Sequence, residues 1–379
     1  MKLEVDAVRL RALRTRLDLP VEAAARRAGL DAAVIERLEA NAEAVELDVL
    51  RRLAKAYHRN WYVFLLEDEP GRPALPRDFR TLVRGRTLTT PTLVAFDDAE
   101  YLIDKILDLP RPGPPPRLTL PSVVGLDPEA AAAQVRTAMG VTLDAQRTQA
   151  AEYDALRYWS SAVAQAGVYG AQLSFPYREV RAFCLIERSV SLIVVSSQDS
   201  PRARAFSLLH ELGHLLLGGD AMCRPQSDDR RPVAGNEEAW CNAFAAAMLM
   251  PAADFAADPL ARSLQGRTLA LGDAQDLARR YGVSELAVLR RLATVGYISE
   301  ANYERLHKER AEEFADEPRP TEGLRIRKQA TRMIAENSRL YAGEVLDAHA
   351  RGDISFREVG VLLGGNLKHV PAIREDLRR

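Results

Sequence analysis

Cysteine is scarce. Cys184, Cys223 and Cys241 are the whole supply in 379 residues, and no two stand in C-x-x-C spacing. An odd, scattered set argues against a disulfide framework and for a reducing cytoplasm. Long apolar runs are missing as well: none approaches the ~18 residues of a membrane span. The N-terminus, MKLEVDAVRLRALR, lacks the hydrophobic core of a secretory signal. A net charge of −1 supplies no global field toward nucleic acid or membrane. No tandem repeat is visible. These absences favour a cytoplasmic protein that does not enter membranes. What is present, 47% hydrophobic and 28% charged residues, suffices for two or three domains with real cores. Abundant Ala, Arg and Leu suggest a GC-rich bacterial genome.

Only six histidines occur, yet His210 and His214 flank Glu211 in the order H-E-x-x-H, within RAFSLLHELGHLLLGG. Residues four apart share one helical face, so both imidazoles can meet one cation. Glu211 lies one step round, close enough to act on a water at that cation. Zinc hydrolases need two neutral His ligands, a carboxylate base and an open coordination position. Phe206, Leu208, Leu209, Leu212, Leu215, Leu216 and Leu217 predict a buried helix, with Gly218-Gly219 as its stop.

A catalytic zinc takes a third protein ligand. NEEAWCNAFAAAMLMP, residues 236–251, predicts a second helix that opens on acids and is stopped by Pro251. Glu237 and Glu238 are both candidates. Glu238 shares a face with Asn242, Ala245 and Ala246, whose small neighbours permit close approach to the first helix. Asp220, Asp228 and Asp229 are rivals in a polar loop. Negative charge at a helix N-terminus is the ordinary explanation for such acids.

At this point the chain resembles a family. RARAFSLLHELGHLLL followed by EAWCNAFAAAMLMP is similar to the ImmA/IrrE metallopeptidases, with Arg204, Phe206, Asn242, Phe244, Ala245 and Pro251 matching the flanking pattern. The resemblance implies a zincin-like fold, zinc on His210, His214 and Glu238, and Glu211 as the catalytic carboxylate. Mn or Fe also suits such a site. Ala182, where many members have Gly, and Ser196-Ser197, where Asn is common, depart from the pattern.

Along the chain the expectation is α+β and mostly helical. Residues 1–68 predict a five-helix helix-turn-helix domain that resembles the XRE/Cro-like repressors. Val8, Leu10, Leu13 and Leu17 stand at helical spacing, Gly29 ends one helix, Asp31 caps the next, and NWYVFLLED forms the fifth. Arg26, Arg27 and Arg37 are its candidate DNA contacts. The exposed start of the third helix offers Asp31, Ala32, Ala33, Glu36 and Arg37, and major-groove reading favours Arg, Lys, Asn or Gln. Residues 1–60 hold 12 Lys/Arg against 10 Asp/Glu, a small positive excess. Protein docking and homodimer formation are the alternatives for this module.

Residues 69–125 predict a helical connector with the PRDFR stretch and a Pro-rich linker, PRPGPPPRLTLP. Residues 126–260 predict the peptidase domain, with GAQLSF, RAFCLIE and SLIVVS as short strands. SLIVVS or the strand before it is the expected edge for pairing with an extended substrate. Residues 261–379 predict a C-terminal helical domain, in which 273–298 has a second helix-turn-helix spacing read as packing. The function implied is zinc-dependent cleavage of one protein partner, a repressor or a toxin-antitoxin component, in a stress or mobile-element response. The alternative is an antitoxin-like or DNA-binding regulator that acts by binding. A structural zinc has no need of Glu211, which favours hydrolysis.

Overall fold

The computed structural model describes residues 2–17, 19–41, 43–57, 64, 88–218, 234–316 and 329–378. These residues are mostly helical and include two small sheets, an α+β arrangement. They form two compact units, residues 1–98 and 99–379. Apart from Phe64, the expected fifth N-terminal helix lies outside the described residues, as do the PRDFR stretch, Asp220, Cys223, Asp228 and Asp229.

The first unit holds helices α1 (Ala7–Arg16), α2 (Val21–Ala28), α3 (Ala32–Ala40) and α4 (Leu47–Ala56). Gly29 takes φ +63° beyond α2, a left-handed conformation that suits glycine. The Asp31 carboxylate then accepts from Ala33 N–H at 3.0 Å and caps α3. Leu10, Leu13, Leu17, Ile35, Leu38, Leu50 and Leu53 fill the core. Val8 is 67% exposed, because positions 10, 13 and 17 define the inner face of α1 and position 8 falls off it. A short antiparallel ribbon, β1 (Lys2–Glu4) with β2 (Ala44–Glu46), completes this unit. Buried Glu39 accepts two bonds from Arg14, at 2.6 and 2.8 Å, and ties α1 to α3.

The unit boundary falls within α5 (Thr90–Asp108). The second unit continues with α6 (Pro128–Ala138), α7 (Leu143–Thr148) and α8 (Glu152–Gln165). Then come β3 (Tyr169–Leu173), β4 (Ala182–Glu187) and β5 (Val190–Ser196), in spatial order β3-β5-β4. β3 runs parallel to β5 and β4 antiparallel to it. Every residue of β5 is buried, including Ser191 and Ser196, and the apolar run Leu192–Val195 suits a central strand. SLIVVS is therefore not an edge; β4 is. Arg188 and Ser189 join β4 to β5 in two residues, both at positive φ, 47° and 75°.

Two helices follow the sheet: α9 (Pro201–Gly218) and α10 (Ala234–Leu249). Beyond them lie α11 (Ala252–Ala257), α12 (Pro259–Ser263), α13 (Gln275–Tyr281), α14 (Glu285–Thr294) and α15 (Glu300–Asp316). Leu277, Ala278, Tyr281, Val288, Leu289 and Leu292 from α13 and α14 enter the same core as β5, α9 and α10. A last group comprises α16 (Gln329–Asn337), α17 (Arg339–Arg351), α18 (Phe356–Leu362) and α19 (Val370–Leu377). It borders β3: Gly170 N–H donates to the Ser338 hydroxyl at 3.1 Å. Among the described residues no helix is long and apolar enough to cross a membrane.

Candidate metal centre

Helix α9 begins where Ser200 Oγ accepts from Ala203 N–H at 3.3 Å, followed by Pro201 at the first helical position. Twelve of its residues, from Pro201 to Leu216, are buried. It packs against β4, β5 and α8, and α10 lies across it. Gly213 makes that crossing close. A Cβ there would stand 3.1 Å from Phe244 Cδ1 and 3.2 Å from Cys241 Sγ.

The far end of α10 is held from three directions. Arg136 donates to Met248 O. Gln146 Nε2 donates to Leu249 O at 2.8 Å, and Arg291 Nε to Met250 O at 2.7 Å. Carbonyls that a helix end leaves without partners are thus satisfied by side chains from α6, α7 and α14. That anchorage sets where the opening turn of α10, with its two acids, meets α9.

There the donors converge. His210 Nε2 and His214 Nε2 stand 3.1 Å apart. Glu238 Oε2 is 3.4 Å from His210 Nε2, and Glu238 Oε1 is 3.3 Å from His214 Nε2. Donors about 2.0–2.1 Å from a tetrahedral zinc are separated by roughly 3.3 Å. The two imidazole nitrogens meet that spacing, the two Glu238 oxygens each meet it with one of them, and one ligand atom from each residue lies within 4.8 Å of the others. Two neutral nitrogens and a carboxylate also suit Mn or Fe. On the donor set and its spacing, the residues fit a divalent metal.

The electrostatics point the same way. Hydrogen bonds from His210 and His214 hold the Glu238 carboxyl far below the usual range, against the opposing effect of burial. Burial opposes charge on His214, but hydrogen bonds with Cys241 and Glu238 prevail and push its pKa up to about 11. In the metal-free cluster that positive charge is a proton, which a bound cation would replace. Glu211 is 8% exposed, and burial pushes its carboxyl above the ordinary range. His210 and His214 oppose that rise, as does a hydrogen bond with Cys184 of β4.

Both acids of α10 contact the histidines, but in different places. Glu238 joins the triangle, whereas Glu237 Oε1 lies 3.3 Å from His214 Nδ1, on the opposite side of the ring. His210 stacks on Phe206, with centroids 6.5 Å apart. Arg204 is buried and donates to Gln172 Oε1 at 2.8 Å. Tyr177 lies under the Arg181 guanidinium, and Arg178 is exposed. In the first unit Arg26 and Arg27 are exposed on the last turn of α2, and Arg37 Nε contacts Glu43 Oε2 at 3.1 Å.

Residues 165–293 match the family model of the IrrE N-terminal-like domain, Peptidase_M78, and the matched stretch includes His210, Glu211, His214 and Glu238. The chain is also similar to the radiation response metalloprotease IrrE of Deinococcus deserti, at 39% identity over 106 residues. That match covers 27% of this chain and 36% of the relative, so the chain spans about a third of the relative's length. No solved structure matches. The segment that bears the metal centre is therefore similar to a metallopeptidase domain.

Proposed function

We propose that the chain is a zinc-dependent endopeptidase that cuts a specific protein partner. One observation carries this reading: the His210, His214 and Glu238 donors cluster within 4.8 Å of one another beside the buried Glu211 carboxylate. His210, His214 and Glu238 would hold the ion, which supplies Lewis acidity toward a water and the scissile carbonyl when bound. Glu211 takes the proton from the attacking water and delivers it to the leaving amine. Its raised pKa suits both halves of that exchange, since a base poised nearer the working pH also returns the proton readily.

β4 is the proposed docking edge for an extended substrate backbone. It is an outer strand of the sheet, packs on α9, and its Cys184 bonds to Glu211. Residues 1–68 are proposed to form an XRE-type helix-turn-helix domain; the Gly29 turn and the Asp31 cap support that reading. Attached to the peptidase, it raises the local enzyme concentration near a DNA-bound or helix-turn-helix partner. A repressor, or a component of a toxin-antitoxin pair, is the proposed target, and a stress response the proposed setting. The relative's name, radiation response metalloprotease, supports the latter.

The experiment is removal and return of metal. Stripping the full chain with chelator should abolish cleavage of its partner, and about one equivalent of Zn should restore it. His210→Ala and Glu238→Ala should fail to recover. Cleavage that survives complete metal removal would end this reading.

A further inference from the structure

Two adjacent acids, Glu237 and Glu238, touch the same imidazole from opposite ends. Successive helical residues point about 100° apart, so one turn of α10 can reach both sides of the His214 ring. Glu238 meets Nε2 at 3.3 Å and Glu237 meets Nδ1 at 3.3 Å. Both contacts are to carboxylates, which only accept hydrogen bonds, so without a metal the ring can donate from either nitrogen. Once a cation takes the Nε2 lone pair between His210 and Glu238, the neutral ring keeps its hydrogen on Nδ1, where Glu237 is placed to accept it.

We infer that Glu237 is the positioning residue of the metal centre: it fixes the tautomer and tilt of His214, so that Nε2 is presented to the cation. The inference rests on the metal-binding reading of His210, His214 and Glu238. Negative charge at a helix N-terminus accounts for an acid in this turn, but not for its contact with the ring of a ligand. Cys241, one turn further along α10, also hydrogen-bonds to His214. A thiol is a weak acceptor, so the carboxylate is the stronger determinant. His210 has no equivalent support: its Nδ1 is buried and without a hydrogen-bond partner among the described residues. The two ligands are thus held differently, His210 by stacking on Phe206 and His214 by a hydrogen bond to Glu237. Glu237 is only 29% exposed, which limits competition by water for that bond.

The test is zinc affinity, measured on the full chain by competition with a chromogenic chelator. The Co(II) absorption spectrum of each variant reports ligand geometry independently of activity. Glu237→Ala should weaken zinc binding by roughly 10–100-fold, the usual effect of removing an outer partner of a ligating histidine. Glu237→Gln, whose amide oxygen still accepts from Nδ1–H, should lose distinctly less and keep a spectrum closer to wild type. Glu238→Ala is the reference for the site itself. If Glu238→Ala binds zinc like wild type, the metal reading falls, and this inference with it. If Glu238→Ala is crippled while Glu237→Ala stays within about twofold of wild type, the positioning role alone is wrong. Equal losses for Glu237→Ala and Glu237→Gln would also overturn it, because an accepting oxygen would then not be what matters.

Discussion

Glu211 illustrates how burial becomes chemistry at the scale of one residue. A carboxylate with 8% exposure resists ionisation, and the two neighbouring imidazoles only partly offset that resistance. A general base works when ionised, so a raised pKa moves the loss of activity to higher pH. The acidic limb of kcat/KM should have its midpoint above the ordinary Glu value of about 4.3. Metal occupancy measured across the same pH range separates this limb from loss of the ion. A midpoint at or below the ordinary value, with metal retained, would contradict the assignment. H-E-x-x-H was legible because its chemistry lies within five consecutive residues. Glu238 as the third donor was legible through the resemblance; the contact of Glu237 with the His214 ring was not, because it depends on how α10 crosses α9, and neither helix encodes that crossing alone.

At the scale of elements, Gly213 controls the crossing. Its missing side chain is what lets Cys241 and Phe244 close on α9. Gly213→Val should cost about 1–3 kcal/mol through overpacking and should weaken zinc binding, because α10 is pushed off with Glu238 on it. Thermal unfolding and metal titration check both parts; a variant unchanged in both would show that the close approach is unimportant. Most helices were legible from apolar spacing and caps, and the three strands from short apolar runs. The join between β4 and β5 was not, since Arg188-Ser189 carries none of the Asn-Gly or Asp-Gly signal usual where both residues take positive φ. The β1–β2 ribbon of three residues per strand is too short to show periodicity. The latches on the end of α10 were hidden for another reason: Gln146 lies 103 residues before the Leu249 carbonyl it satisfies.

At the scale of the whole molecule, two compact units share one chain, and their chemistries differ. The outer face of α3 presents Ala33, Glu36 and Arg37, and Arg37 is engaged by Glu43. That face offers little for reading base edges. Arg26 and Arg27 are exposed and suit phosphate contacts, which do not discriminate sequence. The full chain should therefore bind duplex DNA without sequence preference, with Kd on the order of 1–100 μM and strong weakening between 50 and 200 mM salt. Arg26→Ala with Arg27→Ala should reduce it further in a gel-shift or anisotropy titration. Nanomolar binding to one sequence would contradict this and favour a DNA-reading regulator.

The central claim is hydrolysis of a protein at the His210–His214–Glu238 centre with Glu211 as base. Its most direct test compares new protein termini in cells expressing wild type and Glu211→Gln, which keeps the metal donors and removes the base. The account predicts termini that appear with wild type alone and identify the target. The purified variant should cleave that target roughly 10²–10⁴-fold more slowly while still binding zinc. Identical termini under several stresses, with both forms binding the same partner, would contradict proteolysis and leave a protein that acts by binding.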